Sequence, residues 1–136
     1  MEKILVSACL AGFPCRYDGS AKADIEVVDL VRDGRAIPIC PEQLAGLPTP
    51  RAAAEIIGEK VFTNTGEDIT ESFRRGAEET LKLARQFGCR RAMLKSKSPS
   101  CGFGKVYDGS FSGKLIDGSG LTAKLLSESG IEIETI

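Results

Sequence analysis

The sequence contains no histidine. This absence excludes Ser-His-Asp and Cys-His catalysis, H-E-x-x-H metalloproteases and zinc sites built from two cysteines and two histidines. Acid–base chemistry in this chain therefore falls to other side chains, and a carboxylate is the natural replacement.

Long apolar runs and a strong net charge are also absent. No apolar run approaches the length of a membrane span, and the segment from Met1 to Val6 is too short for a signal peptide. The formal net charge of -1 gives no support for tight nonspecific nucleic-acid binding. We therefore expect a cytoplasmic protein with no membrane partner, whose 136 residues form one domain over positions 1–136. The sequence leaves its oligomeric state open.

Cysteine is the residue type that stands out. The chain has five cysteines, and an odd number argues against a fully paired disulfide framework. Disulfides are rare in a reducing compartment, so these cysteines favour a metal site or a redox function over disulfide bonds.

Hydrophobic periodicity and turn residues predict alternating strands and helices. In order, we expect a buried strand at 3–8, a helix from Asp24 to Gly34, a strand at 36–39, a hairpin from 55–57 and 60–62, a helix at 69–87, a strand at 92–95, a long loop at 96–113, a helix at 121–129 and a last strand at 131–134. Pro38 lacks an N–H, so its strand should lie at a sheet edge or be irregular. Asp68 and Glu71 resemble a capping box for the longest helix.

This order predicts an α/β fold. We expect a single-domain, Rossmann-like three-layer sandwich with a mostly parallel sheet of about four strands plus a small hairpin. In open sheets of this type, ligands bind outside the carboxyl ends of the strands.

That rule predicts at which edge of the sheet each cysteine lies. Cys9, Cys40 and Cys101 each follow a different predicted strand, and Cys15 shares the first loop with Cys9. Cys89 precedes its strand and should lie at the opposite edge. Converging thiols favour a metal or cluster site, although buried cysteines also serve as small apolar residues. A zinc site has no close C-x-x-C pair to support it, and an iron–sulfur cluster suits a thiol-only set at least as well.

Several polar residues accompany these thiols. Glu42 lies two positions after Cys40 and is a candidate general acid or base, with an exposed surface glutamate as the alternative. Ser98 and Ser100 flank Pro99 in the long loop, where they are either hydrogen-bond donors to a substrate or turn formers. Asp18, in a Tyr-Asp-Gly turn, either lines a polar pocket or serves only to form the turn.

Motifs along nearly the whole chain resemble one bacterial and archaeal family, the 2-thiouracil desulfidases, formerly described as a domain of unknown function. These motifs are Ser7-Ala8-Cys9-Leu10-Ala11-Gly12, Cys15-Arg16-Tyr17-Asp18-Gly19, Cys40-Pro41-Glu42, Gly46-Leu47-Pro48-Thr49-Pro50-Arg51, Ser98-Pro99-Ser100-Cys101-Gly102 and Asp108-Gly109-Ser110-Phe111-Ser112-Gly113. Together they are specific.

The resemblance implies a [4Fe–4S] cluster with three cysteine ligands, which by motif are Cys9, Cys40 and Cys101. Its fourth iron is then free to bind the sulfur of a small thiocarbonyl substrate such as a 2-thiouracil-like nucleobase. Water attacks the carbon, sulfur leaves as sulfide, and the cluster acts as a Lewis acid rather than an electron carrier. Glu42 and Ser98 are the implied catalytic residues, and Ser100 and Asp18 are candidate substrate-binding residues.

Two other functional classes stay open from the residues themselves. Cys15 could reach the cluster as a fourth ligand, and a cluster closed in this way would suit a noncatalytic iron–sulfur or redox-sensing module. Alternatively, Cys101 could act as a nucleophile in a thiol enzyme without a metal.

Overall fold

A computed structural model describes residues 2–136 of the protein, and Met1 lies outside the described residues. The strands are β1 (Ile4–Ser7), β2 (Ala36–Ile39), β3 (Ala54–Ile57), β4 (Lys60–Thr63), β5 (Arg91–Leu94), β6 (Lys105–Tyr107), β7 (Leu115–Asp117) and β8 (Glu132–Thr135). The helices are α1 (Ile25–Arg32), α2 (Pro41–Leu44), α3 (Thr70–Gln86) and α4 (Leu121–Glu128), and a 3-10 helix spans Ala8–Ala11.

The central sheet is parallel and has the strand order β2-β1-β5-β8. Strand β1 lies inside this sheet and pairs Ile4 with Ala36 on one side and with Arg91 on the other. Pro38 lies in β2, an outer strand, which confirms the expectation drawn from its missing N–H.

Apolar side chains alternate between the two faces of the sheet. Leu5 packs in a core cluster with Leu81 of α3 and Leu126 of α4, whereas Val6 packs on the other face with Val27 of α1. Helices therefore cover both faces, and the predicted α/β sandwich is confirmed.

The ends of the helices follow from local hydrogen bonds. Asp24 caps α1 by accepting from the N–H groups of Glu26 and Val27, as its position predicts. The predicted capping box of α3 is wrong, because the N-cap residue is Ile69, whose side chain makes no capping bond. Asp68 instead accepts hydrogen bonds from both the N–H and the hydroxyl of Thr70. Thr70 in turn accepts the N–H of Val61, so the start of α3 is anchored to β4.

Two antiparallel hairpins lie outside the central sheet. The hairpin of β3 and β4 was predicted, with Gly58 at its turn in the left-handed region at φ 64°. The hairpin of β6 and β7 was not predicted, because its strands are only three residues long and lie within or beyond the region expected to be a loop. Helix α2 was also missed, although Pro41 stands at its first position, where proline is favoured.

Within residues 2–136, none of the helices is both long and apolar enough to cross a membrane.

Candidate active site

A cavity of about 390 Å³ lies at the carboxyl ends of β1, β2 and β5. Four cysteine thiols line it, together with two carboxylates and the neighbouring hydroxyls of Ser98 and Ser100. The thiols are Cys9, Cys15, Cys40 and Cys101, and the carboxylates are Glu42 and Glu55. The structure therefore confirms that the cysteines following the predicted strands gather at one edge of the sheet.

Each of these cysteines is positioned by the element that follows a strand. Cys9 lies in the 3-10 helix directly after β1, and Cys40 is the N-cap residue between β2 and α2. Cys101 lies in the turn after β5 and is buried. The backbone of Gly120 packs closely against this turn. A Cβ at position 120 would come within 3.0 Å of the backbone of Ser100 and Cys101, so only glycine fits there.

Burial and neighbouring groups shift the acidity of the thiols. Burial raises the pKa of Cys101 to about 12, and the nearby hydroxyls of Ser7 and Ser100 offset only part of this effect. Burial, followed by the neighbouring Cys40, also raises the pKa of Cys9. As free thiols, both are protonated at neutral pH and are poor nucleophiles.

Cys15 and Cys40 lie side by side and affect each other's acidity. The neighbouring Cys15 is the main cause that lowers the pKa of Cys40 to about 6, and Cys40 in turn raises the pKa of Cys15. The Cys40 sulfur lies 3.8 Å from the carbonyl oxygen of Cys15, within hydrogen-bond reach of it.

The thiol set fits an iron–sulfur cluster better than a single metal ion. Within residues 2–136, no three His, Cys, Asp or Glu side chains converge closely enough to hold one ion. The thiols are instead distributed around a shared cavity, and a multi-iron cluster accepts separate thiolates on separate irons. The residues present are therefore a suitable donor set for a cluster.

Both carboxylate oxygens of Glu42 have hydrogen-bond donors. Oε1 accepts from Nε of Arg51 at 3.0 Å, and Oε2 accepts from the hydroxyl of Ser100 at 3.1 Å. The Glu42 side chain is 16% exposed, so it is largely removed from solvent while still lining the cavity.

The hydroxyls of Ser98 and Ser100 are linked at 3.0 Å. Ser98 Oγ also accepts the N–H groups of Ser100 at 3.1 Å and Cys101 at 3.0 Å. A serine hydroxyl has one proton, and Ser100 directs its proton to the carboxylate of Glu42, a better acceptor than the Cys101 sulfur at 3.7 Å. Ser98 is therefore the donor in its bond with Ser100, and the array runs from Ser98 through Ser100 to Glu42.

Two sequence candidates lie away from this cavity. Asp18 is on an exposed turn, where its carboxylate accepts the N–H and hydroxyl of Ser20, and it does not line the cavity. Cys89 precedes β5 and is buried in the core cluster beneath α3 and α4, as predicted for the opposite edge.

Sequence reasoning missed two groups of cavity residues. In the sequence, Arg51 is marked only as the end of a motif, although a lone arginine after two closely spaced prolines is an available signal. The apolar pattern places Lys95 in a strand, but Lys95 lines the cavity with Arg16, Lys22 and Lys97. Burial and these three cations lower the pKa of Lys95, which Cys9 partly opposes.

Comparison with known proteins agrees with the motifs. The family model for 2-thiouracil desulfurase matches residues 4–135. The uncharacterized protein YbbK of Bacillus subtilis (strain 168) is 46% identical over 140 residues, covering 96% of this chain and 93% of that protein. A solved structure, the [4Fe-4S]-dependent thiouracil desulfidase TudS, is 48% identical with a TM-score of 0.95, covering 99% of this chain and 91% of that one. The chain described here therefore belongs to the 2-thiouracil desulfurase family.

Proposed function

We propose that this chain is an iron–sulfur-dependent desulfidase that converts the C=S group of a thiolated nucleobase to C=O by hydrolysis. The reaction consumes the thiocarbonyl compound and one water molecule, and it forms the carbonyl compound and hydrogen sulfide. No electrons are exchanged with an external donor. Membership of the 2-thiouracil desulfurase family supports the substrate class, and the likeness to TudS supports the cofactor.

We assign Cys9, Cys40 and Cys101 as ligands of a [4Fe–4S] cluster. They follow three neighbouring strands and line one cavity, and thiolates are the usual ligands of such clusters. When bound, the cluster supplies a Lewis-acidic iron that polarises the thiocarbonyl sulfur.

The protein's own acid–base chemistry centres on Glu42. As a carboxylate, Glu42 accepts a proton from the attacking water, whose oxygen replaces the sulfur. Ser98 lines the cavity at the other end of the array and is the second proposed catalytic residue, and Ser100 joins it to Glu42 through its hydroxyl. Ser100 thus serves as a link in the array. Asp18 has no role in this proposal because it lies outside the cavity.

The observation that carries the proposal is the joint placement of three strand-end thiols and the Glu42–Ser100–Ser98 array in one cavity. A purely structural metal site needs ligands but has no need of a buried, oriented carboxylate. A hydrolytic site needs both.

We further propose that residues 1–136 act as one domain on a small-molecule thio-substrate in the cytoplasm. The five cysteines all lie within the described residues and are free thiols, which is consistent with a reducing compartment.

The test is sulfide release from 2-thiouracil and 4-thiouracil by protein purified and reconstituted without oxygen. We expect sulfide and uracil in equal amounts, with turnover strongly reduced in Glu42→Gln at an unchanged iron content. A protein with a full complement of iron that releases no sulfide from either compound would overturn the proposal.

One observation favours a second candidate, a noncatalytic iron–sulfur or redox-sensing module. Cys15 is buried and lines the same cavity, and its carbonyl oxygen lies 3.8 Å from the Cys40 sulfur. Ligation by four thiols would close the open iron. This candidate would be supported if Cys15→Ala lost the cluster and if the wild-type protein, with a full iron content, showed no turnover.

The third candidate, a metal-free thiol enzyme with Cys101 as nucleophile, has less support. Its thiol is buried and its pKa is raised to about 12, the reverse of an activated nucleophile.

A further inference from the structure

Arg51 is a buried arginine whose donors are almost fully used. Its side chain is only 7% exposed. Its Nε donates to Glu42, Nη1 donates to the carbonyl of Pro48 at 3.1 Å and the hydroxyl of Thr49 at 2.9 Å, and Nη2 donates to the carbonyl of Cys15 at 2.8 Å. Four of the five N–H groups of a guanidinium are thus directed at fixed acceptors.

This arrangement determines the direction of the Glu42 carboxylate. Arg51 holds Oε1, which leaves Oε2 facing Ser100 and the array that leads to Ser98. A carboxylate bound at both oxygens keeps one plane and one rotamer. Because the pair is mostly buried, the guanidinium also balances a charge that would be costly to hold alone.

We propose that Arg51 is a positioning residue for the desulfuration reaction, which it serves by orienting Glu42 as a carboxylate. This inference rests on the proposed function, since it assumes that Glu42 accepts a proton during turnover. A lysine cannot replace Arg51, because one ammonium group cannot reach acceptors on three sides in the fixed directions of a guanidinium.

The same guanidinium also has a structural contact that a test must separate from positioning. Its bond to the Cys15 carbonyl, together with the bond from the Arg51 N–H to the Tyr17 carbonyl at 2.8 Å, ties the first loop to the segment before β3. Loss of Arg51 could therefore loosen the loop that holds Cys15 as well as Glu42.

The experiment compares Arg51→Ala, Arg51→Lys, Glu42→Gln and the double variant Glu42→Gln/Arg51→Ala, all purified without oxygen. Arg74→Ala is the matched control, since Arg74 pairs with Glu71 on the exposed surface of α3. For each protein, iron and acid-labile sulfide per chain are measured first, and then kcat and KM with 2-thiouracil and 4-thiouracil.

We expect Arg51→Ala to lower kcat on the order of a hundredfold, the cost of a misplaced catalytic group. KM should change by less than about threefold, since Arg51 does not act through ground-state substrate binding. Iron content should match wild type, Arg51→Lys should remain impaired, and millimolar guanidinium ion should restore part of the kcat of Arg51→Ala. In the Glu42→Gln background, Arg51→Ala should have little further effect, because it acts through Glu42.

Three outcomes would overturn the inference. They are wild-type kcat per cluster in Arg51→Ala, a full additional loss of kcat in the double variant, and a loss of iron that accounts for all lost activity. If Arg51→Ala does not fold, Arg51→Lys takes its place as the test variant. A wild-type kcat in Arg51→Lys would then overturn the inference. Full activity in Glu42→Gln would instead refute the proposed role of Glu42, and a lack of sulfide release by iron-loaded wild-type protein would refute the proposed function itself, whatever Arg51→Ala does.

Discussion

Gly76 of α3 lies directly against the backbone carbonyl of Pro41, so close that a Cβ at position 76 would be within 3.0 Å of the carbonyl oxygen. Pro41 stands between Cys40 and Glu42, the proposed ligand and the proposed base. The missing side chain therefore allows α3 to support the segment that carries both groups. This close contact between Gly76 and Pro41 connects the packing of the longest helix to the chemistry of the cavity.

Gly76→Ala should damage both stability and the site. Alanine favours a helix by about 1 kcal/mol over glycine, but a clash with rigid backbone in a packed core costs roughly 1–3 kcal/mol. The cost of the clash should exceed the gain in helix propensity, and we expect α2 to be displaced. We expect a lower Tm, less iron per chain and a lower kcat.

The control for this variant is Glu78→Ala on the exposed side of the same helix. It introduces the same residue without a clash and should leave Tm and iron content near wild type. A Gly76→Ala protein with wild-type Tm and iron content would show that α2 does not depend on this close contact.

Alanine substitution of the cysteines should divide them into two groups. Cys9→Ala, Cys40→Ala and Cys101→Ala should each lose most of the iron and acid-labile sulfide, because each removes a proposed ligand. Cys15→Ala should retain the cluster, and Cys89→Ala, remote from the cavity, is the matched control. Iron retention in Cys101→Ala together with its loss in Cys15→Ala would reverse the ligand assignment.

The buried hydroxyl of Thr122 offers a test of the packing behind the site. Within residues 2–136, its Oγ1 is the only buried side-chain nitrogen or oxygen atom with no hydrogen-bond partner. Thr122→Val removes this atom while keeping the shape, so we expect a gain of about 1 kcal/mol in the free energy of unfolding.

Thr70→Val is the contrasting substitution. The Thr70 hydroxyl accepts the N–H of Val61 and donates to Asp68, so its loss should cost roughly 1–3 kcal/mol. Urea unfolding of the two variants measures both effects. Equal changes in stability for Thr122→Val and Thr70→Val would contradict the hydrogen-bond assignments.

Asp68 should contribute a pH-dependent part of the stability. The hydroxyl and then the N–H of Thr70 hold the pKa of Asp68 below its ordinary value of 3.8. Its contribution is therefore fully present above that value and is lost as pH falls through the lower pKa of the folded state.

Asp68→Ala should accordingly be less stable than wild type at pH 7, and the difference should shrink below pH 3.8. Urea midpoints across this range, compared with those of Glu78→Ala, measure it. A difference that stays constant with pH would show that the Asp68 charge is not involved.

The sheet and the thiol site were predictable because they depend on local signals that topology then brings together. Ile4-Leu5-Val6 reads as a buried strand, Pro38 indicates an edge, and each of Cys9, Cys40 and Cys101 follows a strand. Parallel strands place their carboxyl ends at one edge, so the shared position of these thiols required no knowledge of loop structure.

What could not be predicted depends on contacts between distant residues. Arg51 is linked to Glu42 nine residues away and to Cys15 thirty-six residues away, and no local pattern encodes either bond. The carboxylate of Asp18 accepts from the N–H and the hydroxyl of Ser20, a bond within the turn that the Tyr-Asp-Gly motif alone does not reveal. The short strands β6 and β7 form through mutual pairing, which three-residue segments do not reveal.

Hydrolysis without electron transfer is tested by the fate of oxygen from solvent. The anaerobically reconstituted protein should be incubated with 2-thiouracil in oxygen-18 water without any reductant, and the product should be analysed by mass spectrometry. Hydrolysis should yield uracil carrying one solvent-derived oxygen for each sulfide released. Desulfuration that requires a reductant, or uracil without the solvent label, would contradict it.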